Sequence, residues 1–241
     1  MTTLAPAPDR PAPRPGPAGD AATPWWRRPW VLPLTALVAA ALVFMWASYI
    51  TLDARTATVE LPPEYPGKYQ IVLAHIVFGT VALVAVVLQV WPWLRRRHPR
   101  VHRWVGRVYV VGGVAPSAAL AAVLLPMIAG SHWLAWASRV TLEVLWVATT
   151  AVGAISARRR RWTLHRWAML SSFALTMDAF STRFLQVALM PLYPDVIDEG
   201  AFLLLVGWGG WVANLLLVQA WLLRSMRRSR RDRTRGDVLA A

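Results

Sequence analysis

The sequence predicts an all-α membrane protein: six transmembrane helices, the central four (spans two to five) forming a bundle, with both termini cytoplasmic. Three observations predict it. Six apolar stretches, at about 31–51, 70–93, 103–127, 133–157, 164–190 and 201–223, run along a chain of 241 residues that is 56% apolar. Each approaches the roughly 20 residues needed to cross a ~30 Å hydrocarbon core. Almost every arginine lies on one side of these stretches, and the net charge is +14. Little chain is left for an aqueous domain.

Residues 1–24 are rich in Pro and Ala and are expected to form a disordered cytoplasmic tail. The transmembrane domain is expected over 25–223, and an Arg-rich cytoplasmic tail over 224–241. Span one has an apolar run longer than a signal-peptide core and follows a long polar segment. It reads as an uncleaved anchor. It holds no ionisable group and is expected to be a peripheral cover.

The connecting segments set the orientation. Arg27 and Arg28 precede span one, Arg95–Arg97 and Arg103 lie between spans two and three, Arg158–Arg161 and Arg166 between four and five, and Arg224–Arg235 follow span six. The opposite loops hold Arg55 and Lys68 against Asp53, Glu60, Glu64, Asp195, Asp198 and Glu199. The positive-inside rule makes the arginine face cytoplasmic, so the expected location is a bacterial inner membrane. Trp30, Trp91, Trp104, Trp133, Trp162 and Trp221 fall near span ends, where indoles favour the interface. The arginines are also expected to attract anionic lipid headgroups. Those topological duties account for the pI of about 11.6, so no nucleic-acid partner is expected. With no Cys, disulfides and thiolate metal sites are excluded.

Spans two to five contain a repeated unit, over 70–190. An outer His (His75, then His132) opens a crossing, an arginine run follows, and an inner His-Arg-Trp (His102-Arg103-Trp104, then His165-Arg166-Trp167) opens the return. Both units run the same way. His75 and His132 therefore share an outer layer, and His102 and His165 an inner one. Neutral imidazole is a common haem ligand, and a bis-His iron needs two imidazoles at equal depth on facing helices. Gly79 and Gly106 each follow a histidine by four residues, on the same helix face. They leave room either for a flat macrocycle or for close helix packing. Histidines in a first helical turn also serve as simple caps or headgroup contacts, and that reading stays open. His98, beside Pro99, reads as a solvated base.

Spans four and five also carry intramembrane charge: Arg139 and Glu143, Asp178 and Arg183. Such groups normally face the bundle interior in pairs. Arg139 and Glu143 are spaced i,i+4. Asp178 and Arg183, five apart, share a face poorly, so pairing between helices is expected. The tetrad reads as a polar pocket, or as a neutralised lock on helix register. Pro116 is expected to kink span three. Gly207, Gly209, Gly210, Asn214 and Gln219 in span six read as packing features.

The run His75-Ile76-Val77-Phe78-Gly79, with Gln89 and then His102-Arg103-Trp104-Val105-Gly106-Arg107-Val108-Tyr109, resembles a family of predicted bacterial membrane proteins that carry a domain of unknown function. The likeness extends through His165-Arg166 to Arg183 and departs at Ala168, Ser171 and Asp178. A looser resemblance is to the b-type di-haem transmembrane cytochromes that use ascorbate. It implies two haems, held by His75 with His132 and by His102 with His165, and single-electron transfer across the bilayer from an unknown donor. The alternatives are a small transporter or channel built on the charged pocket, and a non-catalytic membrane subunit or scaffold.

Overall fold

A computed structural model describes residues 31–53, 55, 66–128 and 133–240. His132 and the N-terminal segment 1–24 lie outside the described residues. Every regular element among those described is helical.

Helix α1 runs Val31–Trp46, shorter than the expected 31–51. Helix α2 (Lys68–Val90) starts after Gly67, whose φ of 92° is open to glycine at little cost. The short α3 (Pro92–Arg97) and α4 (Pro99–Arg107) each start on a proline, whose missing N–H belongs to an orphan position anyway. Helix α4 continues through a π-helical segment, Val108–Val114, into α5 (Ala115–Ile128). The expected irregularity in span three is thus a widened turn just before Pro116, with the proline seated in the first turn of α5.

Helix α6 (Trp133–Arg158) reverses at Arg160, which takes a left-handed φ of 55°. The return is not one helix. It divides at Met177 (ψ −10°) into α7 (Trp162–Thr176) and α8 (Asp178–Leu189). Helix α9 (Glu199–Leu204) is capped by Asp198, whose carboxylate accepts the Ala201 N–H at 2.9 Å. A second π-helical segment, Leu205–Gly209, leads into α10 (Gly210–Ala240).

Among the described residues, four helical stretches are long and apolar enough to cross a membrane: Lys68–Val90, Pro99–Met127, Trp133–Arg158 and Glu199–Arg228. The first apolar stretch is too short by that measure, and the fifth is interrupted at Met177.

Helix α2 packs against the π segment and α5, and also meets α7; α6 packs against α5 and α7. The ring order is therefore α2, third stretch, α6, α7. In that ring α2 stands diagonal to α6, and the third stretch diagonal to α7. Helix α10 covers α7 and α8, and α1 lies against α2 and α8, the peripheral place expected of it. Polarity is inverted relative to a water-soluble bundle. Val111 is 72% exposed and Leu217 70%, while Ser138 and Ser172 are fully buried. Apolar side chains outside and hydroxyls inside suit a hydrocarbon solvent, where polar groups must find partners within the protein.

Candidate functional site

At the arginine-rich end of the bundle the third stretch and α7 carry two of the expected histidines, His102 and His165, within electrostatic range of each other. His165 Nδ1 lies 2.9 Å from the Gly153 carbonyl on α6. A carbonyl only accepts, so the proton sits on Nδ1 and the lone pair on Nε2. A ligating histidine is held by the same kind of bond. His102 stands on the diagonal helix, with His165 and Arg95 within electrostatic range. Its carbonyl accepts from Gln89 Nε2 at 2.7 Å, and its Nδ1 is buried with no partner among the described residues.

The surroundings are cationic. Burial, together with Arg166 and Arg96 nearby, lowers the pKa of Arg95. Arg166 lies over the Trp221 ring at 5.4 Å. His98 sits exposed in the turn between α3 and α4, as expected of a solvated base, and lies edge-on to Trp93 at 4.6 Å.

The outer layer is described at His75 alone. Its Nδ1 donates to the Ser117 carbonyl at 3.0 Å and lies 3.2 Å from Ser117 Oγ, again leaving Nε2 free.

The two glycines expected to make room for a macrocycle do not leave a slot. A Cβ on Gly79 would meet Ser117 Oγ at 3.7 Å, and one on Gly106 would meet Gln89 Oε1 at 3.5 Å. Both serve close packing of α2 on the third stretch. Gly113 goes further: a Cβ there would stand 2.8 Å from Ala82. His102 and His165 supply imidazole nitrogens of the kind that ligate iron, but the recess beside Gly106 is filled by the Gln89 amide. No group of three or more metal-ligating side chains occurs among the described residues, and a two-imidazole site is not such a group.

The charged tetrad is only partly assembled. Arg139 Nη1 meets Asp178 Oδ2 at 3.2 Å, between α6 and α8; the arginine side chain is 41% exposed and the aspartate 5%. Thr182 Oγ1 donates to Asp178 Oδ1 at 2.6 Å. Gly210 on α10 admits this carboxylate, since a Cβ there would lie 2.9 Å from Asp178 Oδ1. The i,i+4 partner takes no part: Glu143 Oε1 is buried without a hydrogen bond. Arg183 turns to Gln186 Oε1 at 3.4 Å. Cross-helix pairing holds for one pair of the four. The division at Met177 places Asp178 in the first turn of α8, where a carboxylate is favoured by the helix dipole.

Sequence reasoning missed the polar centre of the bundle. Tyr109, in the π segment, lies 2.5 Å from Ser172 Oγ and 2.9 Å from Thr176 Oγ1. Thr150 Oγ1 is 2.6 Å from Ser172 Oγ. Trp146 Nε1 donates to Thr176 Oγ1 at 2.9 Å and to Tyr109 Oη at 3.3 Å. A periodic signal was available: Arg139, Glu143, Trp146, Thr150 and Gly153 recur at four-three-four-three spacing, one face of a helix. Ser138 was also missed. Its hydroxyl donates to the Gly207 carbonyl at 2.5 Å and accepts from Trp211 Nε1 at 3.0 Å. That bond satisfies a carbonyl within the second π segment.

A family model described as a predicted membrane protein (DUF2306) matches residues 72–222. The match covers more than half of the chain, from α2 through α10, and the chain belongs to that family of integral membrane proteins. No curated protein and no solved structure matches the chain. The resemblance to di-haem cytochromes is not shown by these comparisons.

Proposed function

We propose that this member of the DUF2306 family is a six-crossing protein of a bacterial inner membrane, with both termini cytoplasmic, that holds b-type haem and passes single electrons. The one-sided arginines support the topology. On this reading the first and fifth apolar stretches cross as well, the fifth as two half-helices. The same arginines meet anionic headgroups on the inner face.

The inner histidine pair carries the electron-transfer reading. His102 and His165 stand on diagonal helices at one end of the bundle, His165 with Nε2 left free by its Gly153 bond and His102 with a buried, unpartnered Nδ1. These two would hold one haem, and His75 with His132 the other. A bound haem supplies one-electron redox chemistry. The chain's own residues do the remaining work. The Gly153 carbonyl fixes the tautomer of His165. Gln89 anchors the backbone at His102 and must swing aside to open the recess at Gly106. Arg95, Arg103 and Arg166 offer positive charge to anionic propionates.

Purification in mild detergent, followed by reduced-minus-oxidised spectra and a haem-to-protein ratio, tests the reading. The coloured protein is expected to lose one spectral component in His102→Ala/His165→Ala and keep the other. A folded protein that stays colourless after expression with added haem overturns it.

A second reading, a small transporter or channel, is favoured by the Arg139–Asp178 pair, with its buried carboxylate, beside the unpartnered Glu143 and the helix division at Met177. On that reading the pure protein is colourless, and Asp178→Asn abolishes flux.

A further inference from the structure

The hydroxyls at the bundle centre form a continuous chain. Thr150 Oγ1 meets Ser172 Oγ at 2.6 Å, Ser172 Oγ meets Tyr109 Oη at 2.5 Å, and Tyr109 Oη meets Thr176 Oγ1 at 2.9 Å. Tyr109 and Ser172 are fully buried, and Thr150 and Thr176 nearly so. Every link is a hydroxyl, which both donates and accepts. Each can take a proton from one neighbour while giving its own to the next.

An acid stands beyond one end of the chain and the arginine-rich end of the bundle beyond the other. Glu143 stands three residues above Trp146 on α6, a rise of about 4.5 Å. Its Oε1 is buried and unpartnered. At the other end Gly153 stands three residues below Thr150, where the His165 ring closes on its carbonyl and the arginine-rich face begins. Glu143 and Gly153 lie on the α6 face that carries Trp146 and Thr150, one turn beyond each.

We infer that this hydroxyl chain is a proton path through the bundle, loaded at the buried Glu143 carboxyl and open to the arginine-rich face below Thr150. One proton passes from the carboxyl to the chain, one leaves at Thr150, and the hydroxyls rotate back before the next transfer. No redox partner enters, so the path does not depend on haem. The same bonds join the helices, and Trp146 Nε1 donates into the network at Thr176 and Tyr109; a purely joining role would leave proton flux unchanged in the variants below. Asp178 and Arg139 neutralise each other nearby, so the remaining acid in this region is the one placed to exchange a proton.

The test uses the purified full chain in liposomes with a trapped pH-sensitive dye and a potassium diffusion potential. The spectrum of the same sample is recorded, so that failure of the haem reading is seen separately. Wild-type vesicles are expected to change internal pH faster than empty ones. Ser172→Ala, Tyr109→Phe and Glu143→Gln are each expected to slow that rate by about tenfold or more, the order of effect of losing a positioned proton donor. Thr141→Val, whose hydroxyl bonds only within its own helix at Ala137, is expected to conduct normally. If Tyr109→Phe fails to fold, Glu143→Gln, which keeps the side chain's size and bonding capacity, decides the matter. Wild-type flux no faster than empty vesicles, or unaltered flux in folded Ser172→Ala and Glu143→Gln, overturns the proposal.

Discussion

The two hairpins of the bundle carry the same motif and are joined by different forces. In the first, α2 meets the third stretch mainly through missing side chains, Gly113 against Ala82, Gly79 against Ser117 and Gly106 against Gln89, with polar bonds from His75 to Ser117 and from Gln89 to the His102 carbonyl. In the second, α6 meets α7 and α8 through polar bonds: Thr150 with Ser172, Trp146 with Thr176, Arg139 with Asp178, and Gly153 with His165. Both devices answer one condition. Lipid is as apolar as leucine, so helices in a membrane must associate by backbone proximity or hydrogen bonds. The repeat-equivalent histidines inherit the difference. His165 has its ring tied to a carbonyl, whereas His102 is held only by its backbone. A shared motif therefore builds a shared scaffold and leaves each copy free to set its own chemistry.

The largest disturbance is expected in the second hairpin. Asp178→Ala strands Arg139, and breaking a buried pair costs about 3–5 kcal/mol where both ions are dry. Arg139 is 41% exposed, so water recovers part of that charge, and the expected loss is about 2–3 kcal/mol of unfolding free energy in mixed micelles. Retained stability would mean that the pair does not join α6 to α8.

Next comes Gly113→Ala. The obstacle is Ala82 backbone, which cannot rotate away, so the helices must part, at about 2 kcal/mol. The same measurement on Ser172→Ala removes the bonds to Tyr109 and Thr150 and is expected to read about 1 kcal/mol, near the small average for interhelical hydrogen bonds in bilayers. The smallest effect belongs to Gly153→Ala. The new methyl meets the Met169 side chain, which is flexible enough to move, and the expected change is below about 1 kcal/mol. If Gly153→Ala proved as costly as Gly113→Ala, the contrast between the two hairpins would collapse.

The long apolar runs were legible because hydrocarbon imposes length and polarity together. The bounds of α2 and α6 fall within three residues of those expected from apolar runs and arginine flanks. The division at Met177 was not legible. Leu175, Thr176 and Met177 look like ordinary helix, and the departure shows only in the backbone torsion beside Asp178. Neither were the π segments, whose Gly113 and Gly207 lie against Ala82 and Ser138.

Of the candidate site, the inner histidines could be placed by their shared position in the repeat. The ion pair was anticipated as a cross-helix contact, but its membership was not. Choosing Asp178 over Glu143 as the partner of Arg139 depends on how α6 and α8 are rotated about their axes. The hydroxyl centre escaped notice because Ser, Thr and Tyr carry no cost signal in a sequence comparable to a charge. Their meaning lies in convergence from three helices.

Helix α10 carries one last consequence. It does not stop where its apolar run ends at Leu223 but continues as helix to Ala240. At 1.5 Å per residue that extension reaches about 25 Å, well past a headgroup layer. The expected basic tail is helical through Ala240 and continuous with the sixth stretch. A partner that gripped its far end would hold a lever rooted beside Asp178 and Thr182 at Gly210, so a pull outside the bilayer would be felt at the buried carboxylate.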